Sequence, residues 1–218
     1  MFKLASTKEE TILKRAFNKW GIFDLYENLE IIIKPLKNKS LSELSDCSES
    51  RPEFSKNKNT LQIEKKTPVK DEQEKITRDF EVYVCSNKEQ KELTIKLQPI
   101  YSGIIIGQVR NKKFLPNLNF AELIVNYNSK LNYPYIILEN KGENLALYGR
   151  DIMGNSILDF HEIKENQILI ILNQKKEVIG IGRSRFNDNL ITQNDKITID
   201  NVQDIGTHYL KDENNYDL

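Results

Sequence analysis

Arg183 and Arg185 stand two apart in ILIILNQKKEVIGIGRSR (Ile168 to Arg185), so strand alternation would set both guanidinium groups on one side of a sheet. Upstream, Arg150 follows Gly149 directly and Arg110, Lys112 and Lys113 form a basic knot; downstream, Lys196 sits within TQNDKITIDNVQ. Cationic side chains beside approachable backbone N–H groups are what phosphate oxygens require. The chemistry these residues could do is therefore anion binding. Each arginine alone reads equally well as half of a solvated ion pair. Lys175 and Lys176 lie in a hairpin turn, where lysine is ordinary.

Groups for making or breaking bonds are sparse. The two histidines, His161 and His208, are far apart, and no GxSxG elbow, phosphate-binding P-loop, HExxH or zinc-spaced Cys/His set occurs. His208 reads as a packing or capping residue. Cys47 and Cys85 share no paired spacing and are expected as free thiols. No catalytic residue, cofactor or metal ligand set is assigned, and the chain is expected to be non-enzymatic.

The elements that must position the cations start with a helix. Thr7 and Glu10 fit a T-x-x-E capping box, followed by Ile12, Leu13, Ala16, Phe17 and Trp20 on one face, with Gly21 to stop it. Trp20, on that apolar stripe, reads as core rather than as a base-stacking platform. Leu29 to Lys34 and Phe80 to Cys85 read as antiparallel strands, Lys88 to Leu97 as a helix and Ile104 to Arg110 as a strand. After Pro116, Asn119 and Glu122 predict a capped helix carrying Phe120, Leu123 and Ile124. Further on, Tyr135 to Leu138 reads as a strand, Asn140 to Gly142 as a turn, and Ile168 to Leu172 pairs with Val178 to Arg183 across NQKKE. Lys196 to Asp200 makes a last strand and Asp204 to Leu210 a short closing helix.

These elements predict an α+β chain in two parts: a small α/β domain over 1–132, and a small, partly closed β-barrel over 133–212 with a tail at 213–218. Between the first two strands, residues 36–78 are rich in Ser, Glu, Lys and Asn and show no period. Such a stretch cannot bury enough apolar area to offset its ordering entropy, so it reads as a mobile insertion, with LQIE (Leu61 to Glu64) as a short edge strand. Its ten basic and nine acidic residues over 36–79 cancel, which argues against a polybasic arm.

Overall charge is also balanced, with 32 basic and 32 acidic residues. The halves differ, however: residues 133–218 hold nine basic and fourteen acidic residues, against 23 and 18 over 1–132. A phosphate-binding face confined to the second half would be acidic, so Arg110, Lys112 and Lys113 are expected to extend it into one composite footprint. The longest apolar runs fall well short of the ~18 residues of a membrane span. A cytoplasmic monomer is expected.

Glycine before a short polar turn and a helical Asp-Ile-Met step in LYGRDIMGNSI (Leu147 to Ile157), the hairpin glycines Gly180 and Gly182, and the closing DIGTHYL (Asp204 to Leu210) together resemble a PUA domain. EETILKRAF, then GQVRNKKFLPNLNFAELI leading into YPYIILENKGENLALYGRDIM, is similar to the archaeal-type Nip-seven family of ribosome-biogenesis factors, over residues 7–35 and 80–212. That resemblance implies an α/β domain joined to a C-terminal PUA domain, and a role in large-subunit maturation through pre-ribosomal RNA beside pre-ribosomal particle proteins. Gly149, Arg150, Arg183, Arg185 and Lys196 would contact RNA from the PUA side, with Arg110, Lys112 and Lys113 from the first domain. The insertion at 36–78 departs from the family. Two alternatives stand beside this one: an accessory PUA protein acting on tRNA in modification or translation, and an adaptor that binds a protein partner through 36–78.

Overall fold

The computed structural model describes residues 1–36, 79–127 and 132–207. Helix α1 spans Thr7–Lys19, and its capping box sits one residue earlier than the sequence reading. Ser6, not Thr7, is the cap: the Glu9 carboxylate accepts from the Ser6 backbone N–H and hydroxyl, both at 2.8 Å. Lys3 reaches the same carboxylate at 2.9 Å. Partial burial works against ionisation of Glu9, but the bonds from Ser6 and Lys3 outweigh it and hold its carboxyl below the usual range. Helix α2 (Phe23–Asn28) follows, then β1 (Glu30–Pro35).

Strand β2 (Phe80–Cys85) pairs antiparallel with β1, Ile33 opposite Val82. The chain leaving β1 therefore returns beside it, and Leu36 N–H donates to Asp79 O at 2.8 Å across the base. The reading of 36–78, with its LQIE strand, lies almost wholly outside the described residues. Helix α3 (Lys88–Leu97), capped by Asn87, packs on β1 and β2. Strands β3 (Ile104–Arg110) and β4 (Lys113–Pro116) complete a sheet of order β1-β2-β3-β4.

Helix α4 spans Leu118–Tyr127. Its cap is Asn117 rather than Asn119, because the Asn117 side chain accepts from Phe120 N–H at 3.2 Å. Asn119 instead donates its amide to Ile105 O at 2.8 Å, tying the first turn of α4 to β3.

The second sheet has the order β6-β10-β9-β8-β5-β7. It comprises β5 (Tyr135–Leu138), β6 (Ile152–Met153), β7 (Ile157–His161), β8 (Ile168–Leu172), β9 (Val178–Ser184) and β10 (Ile197–Asp204), and β5 and β8 run parallel. Asn140, Lys141 and Gly142 are not a turn but the first turn of helix α5 (Asn140–Leu147), where Glu143 N–H bonds Glu139 O at 2.8 Å. Asp-Ile-Met is not a helical step either. Ile152 pairs with Ile199 and is 97% buried, so the apolar side chain is placed by extended pairing, and a 3-10 turn (Gly154–Ser156) follows. Strand β10 runs past Asp200 to Asp204, whose carboxylate accepts from Thr207 N–H and from its hydroxyl. The closing helix thus begins at 205, and its continuation, including His208, lies outside the described residues.

One apolar core joins the two sheets. It runs from Leu13, Phe17 and Trp20 of α1 through Phe120 and Ile124 of α4 to Tyr135 and Ile137 of β5, Ile170 and Leu172 of β8 and Ile181 of β9. Phe17 is fully buried and meets Tyr26 and Phe120 edge-on, with ring centroids 5.1 and 5.3 Å away. Each such pair contributes about 0.5–1.5 kcal/mol beyond its burial. Trp20 meets Phe120 at 5.8 Å and is a core residue. A second core, built around Ile136, Leu138, Leu169, Ile171 and Ile199, fills the other face of the second sheet. Because the seam between the sheets is itself a hydrophobic core, surfaces on its two sides keep a fixed relation.

Candidate functional site

Where α1, the β3-β4 hairpin and the β8-β9 side of the second sheet meet, they enclose a groove of about 620 Å³. Helix α1 contributes Ile12, Arg15, Ala16, Lys19 and Trp20, spaced at three and four residues so that they form one stripe. The hairpin contributes Lys112 to Pro116, the second sheet contributes Ile168 and Arg183, and the segments leading into β5 and β8 contribute Pro134, Asn166 and Gln167. Five of these are cationic and none is a carboxylate. Among the described residues Arg15, Lys19, Lys112, Lys113 and Arg183 make no ion pair. Five like charges in a lining without a carboxylate give the groove a positive potential.

The hairpin is shaped to bring its lysines there. Arg110 pairs with Lys113, leaving Asn111 and Lys112 as a two-residue turn with φ of 48° and 61°. Left-handed φ at both central positions is the turn whose twist matches a hairpin. Asparagine tolerates it, while for lysine the conformation costs on the order of 1 kcal/mol. Asp79 accepts from Asn111 N–H at 3.1 Å and fixes the turn. Arg183 is set by register: it lies between Ile168 of β8 and Asp200 of β10.

The structure brings together Lys112, Lys113 and Arg183 of the residues singled out from sequence, and puts the others elsewhere. Arg110, beside the hairpin turn, is exposed, and its Nε donates to Gln108 Oε1 at 3.1 Å outside the groove lining. Arg185 donates to Asp200 at 2.5 Å and reaches Asp151 at 3.4 Å. The bond to Asp200 raises the Arg185 pKa still further, so this cation is already compensated by two carboxylates. Gly149 has φ of 73°, and a Cβ there would stand 2.9 Å from Thr207 Oγ1. Its role is to end α5 against the closing helix. Arg150 lines a smaller hollow of about 340 Å³ with Gly142, Leu145 and Ile197. Lys196 is exposed, and its carbonyl accepts from Gly154 N–H at 3.0 Å. At Gly182 a Cβ would meet Ile199 Cγ2 at 2.5 Å, so what comes close there is the neighbouring strand.

Arg15 and Lys19 were not singled out from sequence. The signal was present: they flank Ala16 and Trp20 on a helix whose apolar stripe was legible, so that stripe had a positive margin at i and i+4. His161 stacks on Tyr135 with centroids 5.9 Å apart, and the Tyr135 hydroxyl donates to Asp159 at 3.0 Å. Burial, helped by that bond to a carboxylate, pushes the Tyr135 hydroxyl pKa up, which keeps it a neutral donor. No group of three or more His, Cys, Asp or Glu among the described residues could hold a metal ion. No helix among them is long and apolar enough to cross a membrane.

Residues 134–214 match the family model described as the UPF0113 PUA domain. A UPF0113 protein of Archaeoglobus fulgidus is 33% identical over 123 residues, which cover 56% of this chain and 67% of that one. A hypothetical protein of Pyrococcus horikoshii OT3, known from its crystal structure, superposes with a TM-score of 0.55 at 11% identity, over 94% of both chains. A conserved PUA domain protein of Thermoplasma acidophilum superposes with a TM-score of 0.52 at 10% identity, covering 97% of this chain and 99% of that one. At such identities these two likenesses speak for the fold, which they carry along nearly the whole length.

Proposed function

The chain belongs to the UPF0113 family and carries a PUA domain at its C-terminal side, and from this premise we propose that it is a non-enzymatic RNA-binding protein. The observation that carries the reading is the groove of five cations without a carboxylate, built from both sheets. Phosphates are the anions such a surface fits, since cations spread along a groove follow a charged backbone better than they enclose one small anion.

On this reading Lys112, Lys113 and Arg183, with Arg15 and Lys19, contact phosphates. Arg110 extends the footprint along the outside of the hairpin, and Gly149, Arg150 and Lys196 form a second, weaker contact surface around the smaller hollow. Arg185 acts indirectly, holding β9 to Asp200 and Asp151. The resemblance of FLPNLNFAEL (Phe114 to Leu123) and its flanks to the Nip-seven family supports ribosomal RNA of the large subunit as the target, in the company of pre-ribosomal particle proteins.

Charge reversal tests the groove. Lys112→Glu with Arg183→Glu should weaken RNA binding at least 100-fold at low salt, on the order of 1.4 kcal/mol for each lost contact. Unchanged affinity would remove the groove from the footprint. Cosedimentation with large-subunit precursors, abolished by the same pair, would support the ribosomal target; retention on tRNA alone would favour the accessory reading.

A second reading has its own observation. Leu97, Ile100 and Tyr101, at the end of α3 and just beyond, are 69%, 75% and 83% exposed, which favours a protein neighbour on that side and hence an adaptor.

A further inference from the structure

Resting on the reading that the groove takes RNA, we infer that it takes an unpaired strand and seats a base on its floor. The floor is apolar and partly open: Ile12, Phe114, Pro116 and Ile168 are each half-buried and line the hollow. Phe114 is held rigid from behind, its ring 5.0 Å from Phe120 and 6.3 Å from Phe17 by centroid. The five cations stand around this floor. A flat apolar surface for the base, with cations for the phosphates on either side, is the division of labour that single strands require.

Shape argues the same way. An A-form duplex turns its bases inward and offers a broad convex cylinder of phosphates, which a concave hollow of about 620 Å³ cannot enclose. A hollow in the range of small-molecule sites does accommodate a splayed nucleotide. Asn166, exposed at the same hollow with φ of 59°, adds an amide able both to donate to and to accept from a base edge. A purely electrostatic phosphate site would not need the apolar floor.

The test uses the full chain and three fluorescent probes of matched phosphate number: an eight-nucleotide single-stranded RNA, a duplex, and a strand abasic throughout. The single strand should bind on the order of 10-fold tighter than either of the others, since each stacked base is worth about 1–3 kcal/mol. Arg183→Gln should weaken all three. Equal binding of duplex or abasic strand, with Arg183→Gln still weakening it, overturns the inference while leaving RNA at the groove. Displacement of the single strand by inorganic triphosphate at comparable affinity does the same. RNA binding that is absent, or indifferent to Arg183→Gln and Lys112→Gln, overturns both this inference and the reading beneath it.

Discussion

Replacing Lys112 and Arg183 together by glutamine removes two of the five groove charges and leaves the fold alone, because both side chains are exposed and neither is ion-paired among the described residues. Glutamine at Lys112 inherits the same left-handed backbone, so strain is unchanged on substitution. The size of the effect follows from counterion release. For a short single strand that occupies the groove alone, five phosphates give a slope of log affinity against log salt of about −3.5, and three give about −2.1. Between 50 and 200 mM salt the native protein should lose about 130-fold in affinity and the double variant about 18-fold.

Fluorescence anisotropy with a short single-stranded RNA across that range reads both slopes. Arg185→Gln is the matched control: its charge is already met by Asp200 and Asp151, so the slope should stay at the native value. A double variant with the native slope, or an Arg185→Gln slope that falls as far, would refute the assignment of free charge to the groove.

Lys112→Gly should raise stability by about 1 kcal/mol, by relieving the left-handed lysine, while still costing one unit of phosphate contact; thermal denaturation and the salt slope separate the two effects. Phe17→Ala should cost about 3–5 kcal/mol, and chemical denaturation should show both sheets lost in one step, since its ring sits in the core they share. Glu9→Gln should cost about 1 kcal/mol at neutral pH through the α1 cap. The Glu9 carboxyl is depressed in the folded state, so its contribution is complete above the unfolded value and fades as pH falls through the folded one. Native and variant stabilities should therefore converge as the pH is taken below the ordinary glutamate range and through the depressed folded value; a gap that stays constant in acid would place the loss somewhere other than the carboxylate.

Signals that repeat along the chain were legible, and those that rest on a single residue were often misplaced. Alternation and β-branching set β1 against β2, and the β8-β9 hairpin followed from its turn residues. The α1 cap slipped by one residue because Ser6-x-x-Glu9 and Thr7-x-x-Glu10 overlap in the same sequence, and only the bonds from Ser6 to Glu9 choose between them. Asn117 and Asn119 both reach Ile105 O, and the one that also caps α4 is decided by the direction in which the chain leaves β4. Asp-Ile-Met turned out extended because Ile199, nearly fifty residues away, supplies the pairing partner. The site divided in the same manner. Lys112, Lys113 and Arg183 were found as local clusters, but Arg15 and Lys19 join them only through the packing of α1 across the seam. The acidic balance of 133–218 pointed to the other half of the chain for cations, and four of the five in the groove, Arg15, Lys19, Lys112 and Lys113, come from there.

The continuity of the core through both sheets bears on how the protein can be handled and how it can have diversified. A fragment beginning at Tyr133 would carry Tyr133, Tyr135, Ile170, Leu172 and Ile181 into solvent, where their natural cover is Phe17, Trp20 and Phe120. Such a piece should be prone to self-association, and shuffling it into another gene would succeed only beside a replacement lid of similar greasiness. The segment matched at 134–214 is described as a domain, yet here it shares one apolar core with the residues that precede it.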